Sequence, residues 1–175
     1  MQPNFETQTQ APQRERRTQQ AKTVLALDLG TKTGWAIAKG DDVIASGMSE
    51  FRPGRFEGAG MTFLRFGRWL DDLLRNAGRI DIVAFEEVRA HAGTLAAQVY
   101  GGFLAHLTAW CERNSIAYQG VPVATIKRHA TGKGNASKDL VAAAMKARGF
   151  HPCDDNEADA LAIAVWAIET WGGAG

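Results

Sequence analysis

The chain has few cysteines and no long apolar run. Cys111 and Cys153 are its only cysteines among 175 residues, and they show neither CxxC spacing nor a matching histidine cluster. This argues against a zinc site and a disulfide framework, so we expect two reduced thiols, with Cys111 on an apolar helix. No apolar run approaches the roughly 20 residues of a membrane span, and the N-terminus lacks the apolar segment of a signal peptide. We therefore expect a cytoplasmic protein with no membrane partner.

Net charge is also small, at +1, but the charges are separated along the chain. Residues 123–150 carry six lysines or arginines against one aspartate, whereas residues 154–159 carry four acids and no base. A basic stretch beside an acidic cluster is typical of a site that binds a polyanion and needs cations for its chemistry. Residues 1–22 are polar with a net charge of +2, and we predict a disordered basic tail there. The alternative is a basic arm that contacts nucleic acid.

Hydrophobic residues make up 45% of the sequence, enough for one folded domain, which we place at residues 23–175. Apolar periodicity predicts an α/β fold, with a mixed five-stranded sheet (an antiparallel meander plus parallel strands) flanked by helices. The predicted strands are 24–29, 35–38, 43–51, 80–86 and 117–121, and the predicted helices are 58–76, 94–113, 137–148 and 155–171. The Gly101-Gly102 pair costs helix propensity, which predicts that another backbone packs closely there. Residues 122–135 form a basic segment, and no internal repeat is present.

Two acids stand in or at the end of predicted buried strands. Asp28 interrupts an apolar run, where an ionised carboxylate is costly unless it is paired or binds a metal. Glu86 faces the same side of its strand as Ile82 and Ala84, because strand side chains alternate. If the two strands are neighbours, Asp28 and Glu86 approach each other. The alternatives are that Asp28 caps the turn at residues 30–33 and that Glu86 only marks a solvated strand end.

The last predicted helix opens with four acids, Asp154, Asp155, Glu157 and Asp159. Asp154 is a good N-cap with Glu157 as its capping-box partner, which gives these two a structural role. Asp155 and Asp159 are then four residues apart on one face, which Asn156 can share. Like charges at this spacing repel, and a bound dication would relieve the repulsion.

Carboxylates on separate elements suit two hard divalent ions. We therefore predict a site in which Asp28, Glu86, Asp155 and Asp159 hold two Mg²⁺ ions, with Mn²⁺ as a possible substitute. Two such ions promote phosphodiester hydrolysis.

Four segments, in this order, resemble the motifs of the RuvC-type Holliday junction resolvases, especially phage and prophage members. The segments are LDLGT (27–31) with GWA (34–36), FEEV (85–88), IKRHATGKGNASK (126–138) and DNEADALAIA (155–164). The resemblance covers residues 23–171. It implies an RNase H-like fold, a homodimer, and paired Mg²⁺-dependent nicks across a four-way DNA junction.

The resemblance also implies roles for individual residues. Asp28, Glu86 and Asp159 match catalytic, metal-binding acids, while Lys127 and Lys138 match basic positions near the scissile phosphate, with Lys138 assigned a catalytic role. The basic loop before the penultimate helix, including Arg128 and Lys133, would grip the DNA backbone. The alternative for each lysine is a solvated surface position.

The chain departs from the family pattern at two places. Asn156 stands where some members have an acid or a histidine, so the fourth ligand is either Asp155 or Asn156. Arg89 stands where some members carry an aromatic wedge, and we expect Arg89 and the nearby His91 to contact DNA. The helix with Gly101 and Gly102 is the expected dimer interface, because a two-fold junction suits a dimer with two sites.

Two other functions fit parts of the sequence. Asp28-Leu29-Gly30-Thr31 also resembles the phosphate loop of actin-like phosphotransferases and ATPases, although those proteins need two such domains. A non-catalytic nucleic-acid-binding or RNA-processing relative would share the fold, but the intact acidic set argues against it.

Overall fold

The computed structural model describes residues 21–89 and 93–171. The predicted tail lies outside this part of the chain except for Ala21 and Lys22, which are both exposed. No helix in residues 21–89 and 93–171 has the length and apolar character to cross a membrane.

The described residues form one mixed sheet with helices on both faces. The strands are β1 (Thr23–Asp28), β2 (Lys32–Lys39), β3 (Asp42–Glu50), β4 (Ile82–Glu87) and β5 (Ala117–Pro122). The helices are α1 (Gly60–Ala77), α2 (Thr94–Arg113), α3 (Val123–Thr131), α4 (Lys138–Ala147) and α5 (Asp155–Trp171).

The sheet order is β3-β2-β1-β4-β5. The first three strands form the antiparallel meander, and β4 and β5 add to β1 in parallel. The predicted α/β fold with a mixed five-stranded sheet is therefore confirmed. Because β1 and β4 are parallel neighbours, their carboxyl ends meet at one edge of the sheet.

Alternation along the central strands divides the core into two clusters. On β1, Val24 and Ala26 face α3, α4 and α5, whereas Leu25 and Leu27 face α1 and α2. Cys111 is buried on the α1–α2 side as a free thiol, as predicted for an apolar helix, and burial raises its pKa to about 12.

Two predictions about local structure are wrong. The basic segment before α4 is not a loop throughout, because residues 123–131 form α3, which packs through Ile126 and ends at Gly132 in the left-handed region (φ 80°). Among the described residues, no other backbone is the nearest neighbour of the glycine pair of α2. The ring of Phe63 from α1 covers Gly102, and Gly101 has open space where a Cβ would lie.

Candidate active site

Asp28 and Glu86 lie side by side at the carboxyl ends of β1 and β4. Leu27 pairs with Phe85 in the parallel register, so the next residues of the two strands are neighbours. Both continue the alternation that points Ala26 and Ala84 toward α5. The turn after β1 does not need Asp28, because the Thr33 hydroxyl closes it with a hydrogen bond to the Gly30 carbonyl (2.7 Å).

Gly34 brings the start of α5 next to Asp28. It pairs with Asp28 across the β1–β2 ladder, and a Cβ at this position would overlap the backbone carbonyl of Asn156. Only glycine therefore allows α5 to lie this close to β2. This role of Gly34 is absent from the predictions made from the sequence, although a glycine inside an apolar strand is a signal for close backbone approach.

Asp159 lies one turn into α5 and completes a cluster of three acids with Asp28 and Glu86. Burial raises the pKa of Asp28 to about 7, and repulsion from Glu86 and Asp159 adds to the effect. The pKa of Glu86 is raised by burial and by Asp159, and burial also raises the pKa of Asp159. The three carboxylates therefore share one electrostatic environment that disfavours their charged forms.

Two lysines oppose this repulsion. Lys138 begins α4, behind the N-cap Ser137, and its Nζ lies 3.9 Å from Oδ2 of Asp159. Its charge lowers the pKa of all three acids, and Lys127 on α3 lowers the pKa of Glu86 and Asp159. The structure thus places both predicted lysines beside the acids.

The first turn of α5 divides its acids between two environments. Asp154 is the N-cap, as predicted, because its Oδ1 accepts a hydrogen bond from the backbone N–H of Glu157 (2.9 Å). The charge of Asp154 also raises the pKa of Asp28. Asp155 is exposed, and its charge raises the pKa of Asp159. The Asn156 amide lies 3.5 Å from Oδ2 of Asp154. The choice between Asp155 and Asn156 as fourth ligand stays a prediction.

Glu157 is buried and anchors α5 to the meander. Its carboxylate accepts hydrogen bonds from the Ser46 hydroxyl (2.6 Å) and the Cys153 backbone N–H (2.7 Å). The second half of the predicted capping box is therefore wrong, since the return bond reaches Cys153 and not the cap residue Asp154. Burial alone would raise the pKa of Glu157, but these hydrogen bonds outweigh it and hold the pKa below its usual value. Its partner Ser46 is distant in sequence, so only the folded chain reveals the contact.

Tyr100 fixes the end of β4. Its hydroxyl donates to the Glu86 carbonyl (2.8 Å) and accepts from the Val88 backbone N–H (3.3 Å). The backbone that carries the Glu86 carboxylate is thereby tied to α2. No spacing rule in the sequence indicates this contact.

Three other predicted DNA-binding residues lie in different settings. Arg128 is exposed on α3 and its guanidinium packs near Gly134, while Lys133 is exposed in the turn after α3. Arg89 is exposed and pairs with Glu87 (3.3 Å). His91 lies outside the described residues.

The donor chemistry of the cluster fits a hard divalent ion, but the side chains are not closed around one point. Within residues 21–89 and 93–171, no three His, Cys, Asp or Glu side chains are grouped closely enough to hold a metal ion as they stand. The carboxylates of Asp28 and Glu86 accept no hydrogen bond from another described residue, so their oxygens are available as ligands. Carboxylates that repel one another favour separated rotamers, and a bound cation would relieve that repulsion.

Comparison with known proteins gives structural matches only. No protein-family model and no curated protein sequence matches the chain. Among solved structures, RuvC from Thermus thermophilus in complex with a Holliday junction substrate is 21% identical, with a TM-score of 0.72 over 85% of this chain and 96% of that one. A second Thermus thermophilus RuvC structure gives 22% identity and a TM-score of 0.72, over 87% of this chain and 97% of that one.

A more distant match is the yeast mitochondrial Holliday junction resolvase. It is 13% identical, with a TM-score of 0.60 over 86% of this chain and 79% of that one. The sheet order, the helices on both faces and these matches agree. The chain has the RNase H-like fold of the RuvC-type Holliday junction resolvases.

Proposed function

We propose that this protein is a structure-selective endodeoxyribonuclease that resolves Holliday junctions or related branched DNA. The observation that carries the proposal is the convergence of Asp28, Glu86 and Asp159 from three elements at one sheet edge, where each is uncharged more readily than usual. Buried, mutually repelling carboxylates that accept few hydrogen bonds are costly to a fold and are typical of functional sites. The motif resemblance and the shared fold support the same assignment.

We propose two Mg²⁺ ions as the cofactor, with Mn²⁺ as a substitute. Asp28, Glu86 and Asp159 would hold them, with the fourth ligand from Asp155 or Asn156. When bound, such a pair supplies activation of water and stabilisation of the leaving oxygen in phosphodiester hydrolysis.

The lysines act on the phosphate. Lys138 lies close enough to Asp159 to reach a phosphate oxygen bound beside the acids, and there it stabilises charge that develops in the transition state. Lys127 reaches the same cluster from α3. Arg128 and Lys133 extend the positive surface along the DNA backbone, where phosphate contacts set position and not sequence. Arg89 and His91 are proposed DNA contacts on the β4–α2 connection.

We propose that the active form is a homodimer built on α2. Leu95 is 73% exposed, and Gln98, Gly101 and Ala105 lie on the same exposed side of the helix. A Cβ at Gly101 has no described neighbour within 4 Å, so Gly101→Arg should leave the fold intact and block a helix–helix contact. Sedimentation velocity should give a dimer for wild type and a monomer for the variant. A wild-type monomer at all concentrations would refute the dimer.

The competing functions receive less support. The described chain forms one sheet, whereas an actin-like phosphotransferase needs two such domains. A non-catalytic nucleic-acid-binding relative has no use for buried acids that repel one another.

The decisive experiment compares cleavage of matched four-way, flap and linear duplex DNA in Mg²⁺. Wild type should nick the four-way junction in preference to the linear duplex, and Asp28→Asn should nick it at least about 100-fold more slowly. Asp139→Asn is a matched control, because it removes an exposed aspartate next to Lys138 outside the cluster. Equal junction cleavage by wild type and Asp28→Asn would show that the proposed site is wrong.

A further inference from the structure

Phe56 is the most exposed large hydrophobic side chain in the described residues. Its side chain is 94% exposed, whereas the next, Leu95, is 73% exposed. Exposing a whole aromatic ring forgoes the burial free energy that such side chains usually contribute. The exposure of the Phe56 ring is therefore unfavourable for the folded chain on its own.

The turn that carries Phe56 is anchored on both sides. Glu57 accepts a hydrogen bond from the Gly54 backbone N–H (2.5 Å) and pairs with Arg65 of α1 (2.7 Å). Arg65 also donates to the Arg52 carbonyl (2.7 Å). The ring is thus presented by a turn fixed to α1.

The turn leaves the sheet at the edge that holds the acids. Glu50 at the end of β3 lies opposite Lys32 of β2 in the strand register. The N–H of Phe51 donates a hydrogen bond to the Thr31 carbonyl (2.7 Å), in the turn between β1 and β2. Since β3 lies two strands from β1, the turn starts about 10 Å from the strand that carries Asp28.

One arginine lies beside the ring. The guanidinium of Arg55 lies 5.5 Å from the ring centroid, and Arg55 makes no ion pair with another described residue. Arg68 and Lys32 are exposed on the neighbouring helix and strand. Aromatic rings beside arginine stack on unpaired bases while the charge holds the phosphates.

We propose that Phe56, with Arg55, is a stacking site for an unpaired base of the DNA bound at the acidic edge. The inference rests on the proposed function, since it assigns how that site recognises an open DNA branch. A nucleobase fits better than a second copy of the chain, because the residues next to Phe56 in the turn are the charged Arg55 and Glu57 rather than further apolar side chains. The core of a protein–protein interface needs a broader apolar surface.

The test measures binding without cleavage. Fluorescence anisotropy in EDTA compares a forked DNA with unpaired thymine arms against a fully paired duplex of equal length. Phe56→Ala should weaken binding to the fork about 10-fold and binding to the duplex less than about 2-fold. Phe56→Trp should keep wild-type affinity. Ile44→Ala, which removes a side chain 57% exposed at the other end of β3, should do the same.

A second readout locates the contact directly. A 5-iodouracil in the unpaired arm should crosslink to Phe56 on irradiation, as mapped by mass spectrometry. Equal fork affinity for wild type and Phe56→Ala, or a change in the sedimenting mass of Phe56→Ala with unchanged fork affinity, overturns the stacking site. If the protein binds the fork through Phe56 but nicks no DNA, the stacking site is supported and the proposed nuclease function is refuted. If the protein binds no DNA, both proposals are refuted.

Discussion

On the face of the sheet that carries α5, the central strands present mostly alanines, whereas the face that carries α1 and α2 is packed with aromatic rings. Alanines line the first face on three central strands and along α5: Ala26, Ala36, Ala38, Ala84, Ala162, Ala164 and Ala167. On the second face, the buried rings of Phe51, Phe66 and Phe103 contact one another.

The difference separates stability from chemistry. Small residues let α5 approach the sheet closely enough for Asp159 to share an environment with Asp28 and Glu86. Aromatic rings bury more apolar area per residue, so the other face contributes more of the hydrophobic stabilisation that a cluster of repelling acids opposes. Substitutions on the two faces should therefore have opposite effects on stability and cleavage.

The largest expected effect is on the aromatic face. Phe103→Ala removes a fully buried ring that contacts Phe51, Phe63 and Phe66, so it should lower the free energy of unfolding by about 3–5 kcal/mol. Denaturant unfolding measures this, and cleavage per folded molecule should stay near wild type. Leu64→Ala on α1, which packs on the same face of the sheet, is the exposed control. A loss below about 1 kcal/mol for Phe103→Ala would contradict the assignment of stability to this face.

The next effect contrasts an acid on each face. Asp159→Asn should slow cleavage about 100-fold with no loss of stability. Asp71→Ala should leave cleavage intact but cost about 1–3 kcal/mol, because it deprives the buried Trp110 Nε1–H of its hydrogen bond (2.8 Å). Parallel cleavage and unfolding measurements on both variants decide this. If Asp71→Ala slows cleavage as much as Asp159→Asn, the two faces are not functionally distinct.

The third prediction concerns the close approach of α5 to β2 at Gly34. Gly34→Ala places a Cβ on the Asn156 carbonyl, so α5 must move away from β2, at a cost of about 1–3 kcal/mol and with slower cleavage. Gly101→Ala, at a helical position with open space, should instead stabilise the chain by about 0.5–1 kcal/mol. Unfolding curves and nicking rates of both variants are the measurements. Wild-type cleavage by Gly34→Ala would mean that the α5 position is not limiting.

The smallest effect is the pH dependence of stability without metal. Since folding raises the pKa of Asp28 from its ordinary 3.8 to about 7, the folded chain binds the proton more tightly than the unfolded chain. The stability that this group contributes is therefore fully present below pH 3.8, and it is lost as the pH rises from there to about 7. Asp28→Asn should remove that loss and be about 1–2 kcal/mol more stable than wild type above neutral pH, after discounting for solvent screening.

Unfolding in EDTA across this pH range checks the prediction. Added Mg²⁺ should then stabilise wild type more than Asp28→Asn, since an ion that binds only the folded state stabilises it. If the free energy of unfolding has the same pH dependence in the two proteins, folding does not raise the pKa of Asp28.

Much of the fold could be predicted because apolar periodicity is local information. The alternation of β1 and β4 placed Asp28 and Glu86 on the correct face, and α2 and α5 have the predicted limits. The short helix α3 could not be predicted, because its basic and glycine-rich composition suggests a loop. Burial of Ile126 against residues distant in the sequence stabilises the helix.

The sequence by itself determined which acids are costly in the fold, because a carboxylate in an apolar strand is visible without coordinates. It also determined the helix cap at Asp154, since capping is a contact between residues three apart. The tertiary structure alone decided that Gly34 admits α5, that Ser46 anchors Glu157, and that the turn carrying the exposed Phe56 leaves the sheet at the edge that holds the acids. These depend on distances between segments remote in the chain, which are set by packing of the whole core.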